Sequence, residues 1–202
     1  MLNVITPTQF KTIPWKNGLG ETTELAINDG GTLASFTWRL SMASVIEDGV
    51  FSDFSGYHRQ LILVAGNGLN LQHDHNKIDT LAKPLDMASF DGACSTVSNL
   101  HGDPITDFNV ITAKDKFQAR VDTYRDPQQV ILPAAQWCFI YSLADDVTIT
   151  ALDTLVTTIL PQGHLGQISQ QCSANYTVSG QQLIIVSLNA PAKLLHIVEL
   201  PE

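Results

Sequence analysis

From residue 34 to 42 apolar and polar residues alternate without a break. Ala34, Phe36, Trp38, Leu40 and Met42 hold one parity, and Ser35, Thr37, Arg39 and Ser41 hold the other. A period of two places the two sets on opposite faces of a strand. No window of the chain carries a 3.6-residue apolar stripe through three turns, so packed helices are not available as an architecture. Further short segments are rich in Val, Ile, Thr and aromatics: 60–64, 69–72, 110–111, 117–121, 129–132, 137–143, 147–152, 154–160, 176–178, 183–188 and 194–198. Gly, Pro, Asn and Asp separate them, as in Ala65-Gly66-Asn67-Gly68. Many short strands at this spacing predict a β-sandwich or barrel.

The chain has 202 residues, of which 44% are hydrophobic and only 15% charged, enough to bury a core and too apolar for a disordered protein. The stretch 122–136 is turn-rich but holds the strand-like 129–132, and no Gly/Ser linker or charge block divides the chain. One body spanning 1–202 is expected, with lobes at 1–121 and 122–202. Twenty acidic residues against eleven basic ones give a net charge of −9. That balance argues against nucleic acid and anionic membranes as partners. The N-terminal residues lack a secretory pattern, and no apolar run approaches the roughly 20 residues of a membrane helix, so a cytoplasmic location is expected. Cys94, Cys138 and Cys172 are odd in number and lack Cys-x-x-Cys spacing, which fits reduced thiols.

Four segments concentrate chemistry. Trp15-Lys16-Asn17-Gly18-Leu19-Gly20-Glu21-Thr22-Thr23-Glu24 reads either as a hairpin loop or as a ligand loop. The stretch from Gly49 to Arg59 sets Phe51, Phe54, Tyr57 and His58 among small polar residues; Phe51 and Phe54 either pin a loop or rim a pocket. Arg59 opens an apolar strand, where a cation calls for an anion or a carboxylate partner. His73-x-His75 followed by Asp79 superficially resembles a metal motif, because residues i and i+2 of a strand point one way. Against it, 73–76 reads as a polar turn. Asp107 and Asn109 share a strand face opposite Phe108; inside a barrel they need partners such as Arg39 or a ligand, and outside they need none. The polar face of 34–42 poses the same choice between water and a pocket. There is no Gly-x-Ser-x-Gly elbow, and no cysteine has a basic sequence neighbour, so no reaction is identified.

Taken in order, these motifs resemble the HutD/Ves family. They are Trp15-Lys-Asn-Gly-x-Gly-x-Thr-x-Glu24, Trp38-Arg39-x-Ser41-x-Ala43-x-Val45, Gly49-x-Phe51-Ser52-x-Phe54-x-Gly56, Arg59-x-Leu61, Gly66-x-Gly68-x-x-Leu71, Phe90-x-Gly92 and Asp107-Phe108-Asn109. The resemblance covers roughly residues 1–112. It implies an all-β, RmlC-like cupin with a double-stranded β-barrel in two cupin-type lobes, and a bacterial protein that moderates histidine utilisation or a stress response. It implies no defined reaction and no cofactor. The family pattern maps to Trp15, Asn17, Glu24, Arg39, Ser41, Arg59, Asp107 and Asn109 as ligand-binding residues. Arg39 or Arg59 would anchor a carboxylate, Asn17 and Asn109 would orient it, and Trp15 would form an apolar wall. His73, His75 and Asp79 stand outside this pattern. Leu19 replaces a usual glycine, and Ile111-Thr112-Ala113-Lys114 replaces a more basic tail. The expected partner is a small carboxylate such as urocanate, formiminoglutamate, formylglutamate or formate. A metal-dependent isomerase or dioxygenase and a protein-interaction module are the alternatives.

Overall fold

A computed structural model describes residues 1–15, 18, 20–74, 77–172 and 175–191 (at 170–172, the backbone alone). The strands follow in chain order: β1 (Leu2–Ile5), β2 (Lys11–Pro14), β3 (Gly20–Ile27), β4 (Trp38–Val45), β5 (Gly49–Val50), β6 (Tyr57–Ala65), β7 (Leu69–His73), β8 (Lys77–Leu81), β9 (Met87–Asp91), β10 (Thr96–Leu100) and β11 (Ile105–Ala113). Then come β12 (Gln118–Tyr124), β13 (Gln128–Ile131), β14 (Ala135–Ser142), β15 (Val147–Ala151), β16 (Thr157–Leu160), β17 (Leu165–Cys172), β18 (Tyr176–Gly180) and β19 (Leu183–Asn189). Among the described residues the one helical piece is a 3₁₀ turn at Pro7–Gln9.

The strands form four antiparallel sheets. A six-stranded sheet, β2-β3-β4-β11-β6-β9, faces a four-stranded one, β5-β10-β7-β8, around a first core that includes Leu61, Leu63, Leu71 and Ile105. A five-stranded sheet, β1-β17-β14-β19-β12, faces β13-β18-β15-β16 around a second core that includes Ile140, Ile149, Val178 and Ile185. The two large sheets pack back to back, burying Trp38, Leu40, Phe108, Phe139 and Val186 in a third core. Trp38 lies 5.1 Å from the Phe139 ring and Phe108 lies 5.5 Å from Tyr141, so the seam is built on aromatic contacts. This is the double-barrel, all-β layout that a cupin resemblance implies.

The large sheets are therefore covered on both faces. Strands at their centre read as nearly unbroken apolar runs, as from Leu61 to Leu63, all fully buried. The seam takes one parity of each such strand: Trp38 and Leu40 on β4, Ile62 on β6, Phe108 and Val110 on β11. The other parity must then face the first barrel's interior.

Local departures from the sequence reading have physical causes. The strand expected over 154–160 begins only at Thr157, because Leu155 takes a left-handed φ of 56°. The sequence pattern does not mark strands β1, β2, β5, β8, β9, β10 and β17; β8 is mostly exposed, β9 exposes alternate residues, and both are short, which weakens their apolar signal. Strand β1 pairs with β17, so residues 2–5 lie in the sheet otherwise built from 118–189. The turn at Gly66 and Gly68 is obligatory: both have positive φ, and a Cβ on either would fall within 2.7 Å of neighbouring atoms. The segment 194–198 lies outside the described residues.

Phe108 is fully buried at the seam. Phe108→Ala is expected to lower unfolding free energy by about 3–5 kcal/mol in urea titration. A loss below about 1 kcal/mol would show that the seam is not a packed core.

Candidate functional site

Register brings the site together before any side chain is considered. On the interior face of the six-stranded sheet, Ile111 of β11 pairs with Arg39 of β4 on one side and Arg59 of β6 on the other. The next interior row runs Glu24, Ser41, Asn109, Leu61, and the third runs Thr22, Ala43, Asp107, Leu63. Irregularities in the ladder fall between Glu24 and Ala26 and between Thr106 and Asp107. Such bulges re-aim side chains, and here each lies beside a polar residue of the site.

These rows line a cavity of about 590 Å³ in the first barrel. Trp15, Thr22, Arg39, Ser41, Arg59, Asp107 and Asn109 reach it from the large sheet, and Gly49, Val50 and Ser98 from the small one. Phe51, Ser52 and Phe54 close one side, and Glu47 and Asp48 are exposed at its mouth. Its size is that of a small-molecule site. Of the polar face of 34–42, Arg39 and Ser41 look inward, as do Asp107 and Asn109; β4 begins only at Trp38, and Ser35 lies exposed before it. Asn17 and Leu19 lie outside the described residues.

The two arginines are held differently. Arg39 donates from Nε to Glu24 Oε2 at 2.8 Å. That ion pair leaves its terminal nitrogens lightly engaged; one meets Ser41 Oγ only at 3.4 Å. Glu24 lies behind Arg39 and positions it, rather than lining the cavity. Arg59 has no direct carboxylate partner among the described residues. Its Nη2 donates to Asn109 Oδ1 at 2.9 Å, and Asn109 Nδ2 donates to Asp107 Oδ1 at 2.5 Å. The amide's orientation is forced, because its oxygen must face the guanidinium and its nitrogen the carboxylate. Asp107 and Asn109 do find an arginine inside the barrel, but it is Arg59 and not Arg39.

Arg59 is 6% exposed, and its Nε has no hydrogen-bond partner. Its guanidinium carbon lies 5.1 Å from the Phe51 ring centre, 5.2 Å from Phe54 and 5.3 Å from Phe90. The ring faces offset part of the desolvation cost without supplying an acceptor. Burial is the main cause that pulls Arg59 down to about 10, with Asp107 opposing and Arg39 adding to the fall. Burial likewise pushes Asp107 up to about 7, against Arg59, the Asn109 hydrogen bond and the Ala43 amide. The phenyl collar was not assembled from sequence. Its members come from a loop and from β9, and only the spacing of Phe51 and Phe54 before Arg59 hinted at it.

Trp15 donates from Nε1 to Thr22 Oγ1 at 2.8 Å. Gly20 has no room for a Cβ, which would run into the Ser44 carbonyl and the Trp15 ring. The glycine lets the indole lie against the strand as the cavity wall.

His73 and Asp79 do meet, but elsewhere. His73 is buried, with Nδ1 2.9 Å from Thr96 Oγ1 and Nε2 3.2 Å from Asp79 Oδ2, and its ring 4.5 Å from Phe90. Both ring nitrogens are engaged in packing β7 to its neighbours. His75 lies outside the described residues. Among the described residues no group of three or more His, Cys, Asp or Glu is placed to hold a metal.

Comparison with known proteins bears on the family and the fold. The family model described as HutD matches residues 7–186. An uncharacterized 21.2 kDa protein in the hutC 3′ region of Pseudomonas putida is 36% identical over 61% of this chain and 64% of its own length. Protein Ves of Escherichia fergusonii is 33% identical over 53% of this chain and 56% of its own. The matched stretches thus span between about half and two-thirds of those relatives. The solved structure of HutD from Pseudomonas fluorescens SBW25, from a formate condition, is 28% identical, covers 94% of this chain and 98% of its own, and has a TM-score of 0.81. Oxalate decarboxylase of Lactobacillus farciminis, in a formate complex, is 9% identical with a TM-score of 0.61 over 93% of this chain and 86% of its own, a likeness of fold alone.

The buried Asp107 carboxyl makes stability pH-dependent. An unfolded chain releases this proton near pH 3.8, whereas the folded protein keeps it to about 7. Between those limits the folded state binds more protons, so this group's contribution falls as pH rises. The full displacement corresponds to at most about 4 kcal/mol. Relative to wild type, Asp107→Asn is expected to gain roughly 2–4 kcal/mol between pH 4 and pH 8 in urea unfolding. A mutant-to-wild-type difference that is flat with pH would contradict the assignment.

Proposed function

Because the chain belongs to the HutD family, we propose that it is a small-molecule-binding cupin that takes up a small carboxylate at Arg59 and Arg39 and moderates a metabolic response through that occupancy. The observation that carries this reading is Arg59: a guanidinium 6% exposed, with an Nε that nothing accepts from and its nearest carboxylate held off by an intervening amide. A buried donor without an acceptor is costly. A carboxylate entering the cavity supplies the missing acceptor and a charge-assisted bond. Arg39, steered by Glu24 and set across β11 from Arg59, can serve the same anion or a second acid group. Ser41 and Ser98 offer hydroxyls, and Trp15 and Ile111 offer apolar wall.

The relatives support the direction of this reading. One is a protein of the hutC 3′ region, and a solved HutD comes from a formate condition. Histidine utilisation is therefore the first context to examine. Urocanate, formiminoglutamate, formylglutamate and formate are the first candidates, and the expected site of action is the cytoplasm. Among the described residues of the cavity wall none pairs a nucleophile with a base, and binding without turnover is the simplest use of these groups.

In a thermal-shift screen of these four acids, at least one is expected to raise the melting temperature in a concentration-dependent way. Arg59→Gln is expected to weaken that binding by roughly 10- to 100-fold, and Arg39→Gln by a smaller factor. Unchanged melting with all four acids would sink the carboxylate reading.

A further inference from the structure

We infer that anion capture at Arg59 is coupled to uptake of one proton by Asp107, so that the site takes up the elements of a carboxylic acid, with the carboxylate on the guanidinium and the proton on Asp107. This rests on the carboxylate-binding reading above and adds the state of the protein that does the binding.

The geometry carries the inference. Among the described residues Arg59 has one buried counter-charge, Asp107, which is 1% exposed and reaches it only through Asn109. No direct ion pair locks that carboxyl in its charged form. The other ionisable groups around it are committed or distant. Glu24 on β3 is paired with Arg39 on β4. Glu47 and Asp48, between β4 and β5, are exposed at the mouth. From the small sheet β10 contributes Ser98, which does not titrate, and His73 on β7 stacks behind Phe90, on the far side of the collar. An incoming carboxylate therefore places a second negative charge beside a buried guanidinium that already answers one and that three phenyl rings flank. Two like charges sharing such a site cannot both remain ionised cheaply. Asp107 is the group positioned to yield, because burial already favours its neutral form. The proton comes from solvent, and the ligand replaces Asp107 as the counter-charge of Arg59. Asn109 still bridges, donating to a carboxyl that is now uncharged.

The sign follows. The empty site loses the Asp107 proton near pH 7, and the occupied site loses it at a higher pH. Between the two, binding takes up a proton and weakens as pH rises. Below the lower value Asp107 is already protonated and affinity levels off.

Calorimetric titration of the wild-type chain with formate, at pH 7.5 in phosphate and in Tris, reads the coupling directly, since the two buffers differ in ionisation heat. Between half and one proton per formate is expected to be taken up. The Kd is expected to rise by up to about tenfold per pH unit above pH 7 and to be flat below about pH 6. Asp107→Asn should still bind formate, with a Kd independent of pH from 6 to 8.5. Formate binding with equal heats in both buffers and a flat wild-type pH profile would overturn the proton coupling and leave the carboxylate reading intact. No binding at any pH of formate, or of urocanate, formiminoglutamate or formylglutamate titrated in its place, would overturn both. If Asp107→Asn does not fold, the wild-type titration decides alone.

Discussion

The back-to-back packing of the two large sheets decides which way every central strand faces. Once Trp38, Leu40, Ile62, Phe108 and Val110 are committed to the seam against Phe139 and Val186, the opposite parity of β4, β6 and β11 has one place to go. Arg39, Ser41, Arg59, Asp107 and Asn109 are inside the first barrel because their neighbours are needed between the barrels. A one-residue slip of any of these strands would turn an arginine or an aspartate into an aromatic core. The hydrophobic seam is thus the device that orients the polar site.

The two barrels use the same architecture differently. The second is filled by Leu132, Ile140, Ile149, Leu160, Val178 and Ile185, with Cys138 buried among them. In the first, apolar packing stops at Leu61, Leu63 and Ala43, and beyond them the same strands carry charge and amide. Polar residues at interior positions keep the barrel open, because they can neither interdigitate nor be left dry. The cost is borne by a short network. Glu24 steadies Arg39, Asn109 links Arg59 to Asp107, and the phenyl collar shields the guanidinium. One nitrogen of that network is unanswered.

Much of the fold was legible because alternation and turn chemistry are local. The period-two run 34–42 enters β4 only from Trp38, where its polar residues Arg39 and Ser41 face the cavity, and Gly66 and Gly68 mark a turn only glycine can make. What sequence could not supply is which parity faces which barrel. Asp107 and Asn109 sit on one face in any strand, but only the partner strand at the seam makes that face interior. The same limit hid the partner of Asn109. Arg59 lies fifty residues away in sequence, and nothing local distinguishes it from Arg39. The phenyl collar was half legible for the same reason: Phe51 and Phe54 read as a loop pin or a pocket rim, and Phe90 joins them only through β9. The His73 and Asp79 pair shows the reverse case, a suggestive spacing that the fold uses to fasten β7 against β8 and β10.

Strand β1 carries a consequence for how the chain is built. It is synthesised ahead of its ladder partner β17, which is made roughly 160 residues later. Until then Leu2 and Val4, which pack on the second barrel's core, have no surface to cover. Residues 2–5 therefore dock only once β17 is made, and the seam that orients the binding chamber likewise waits for Phe139 and Val186, so a segment lying ahead of the first barrel is tied to the half of the fold made later.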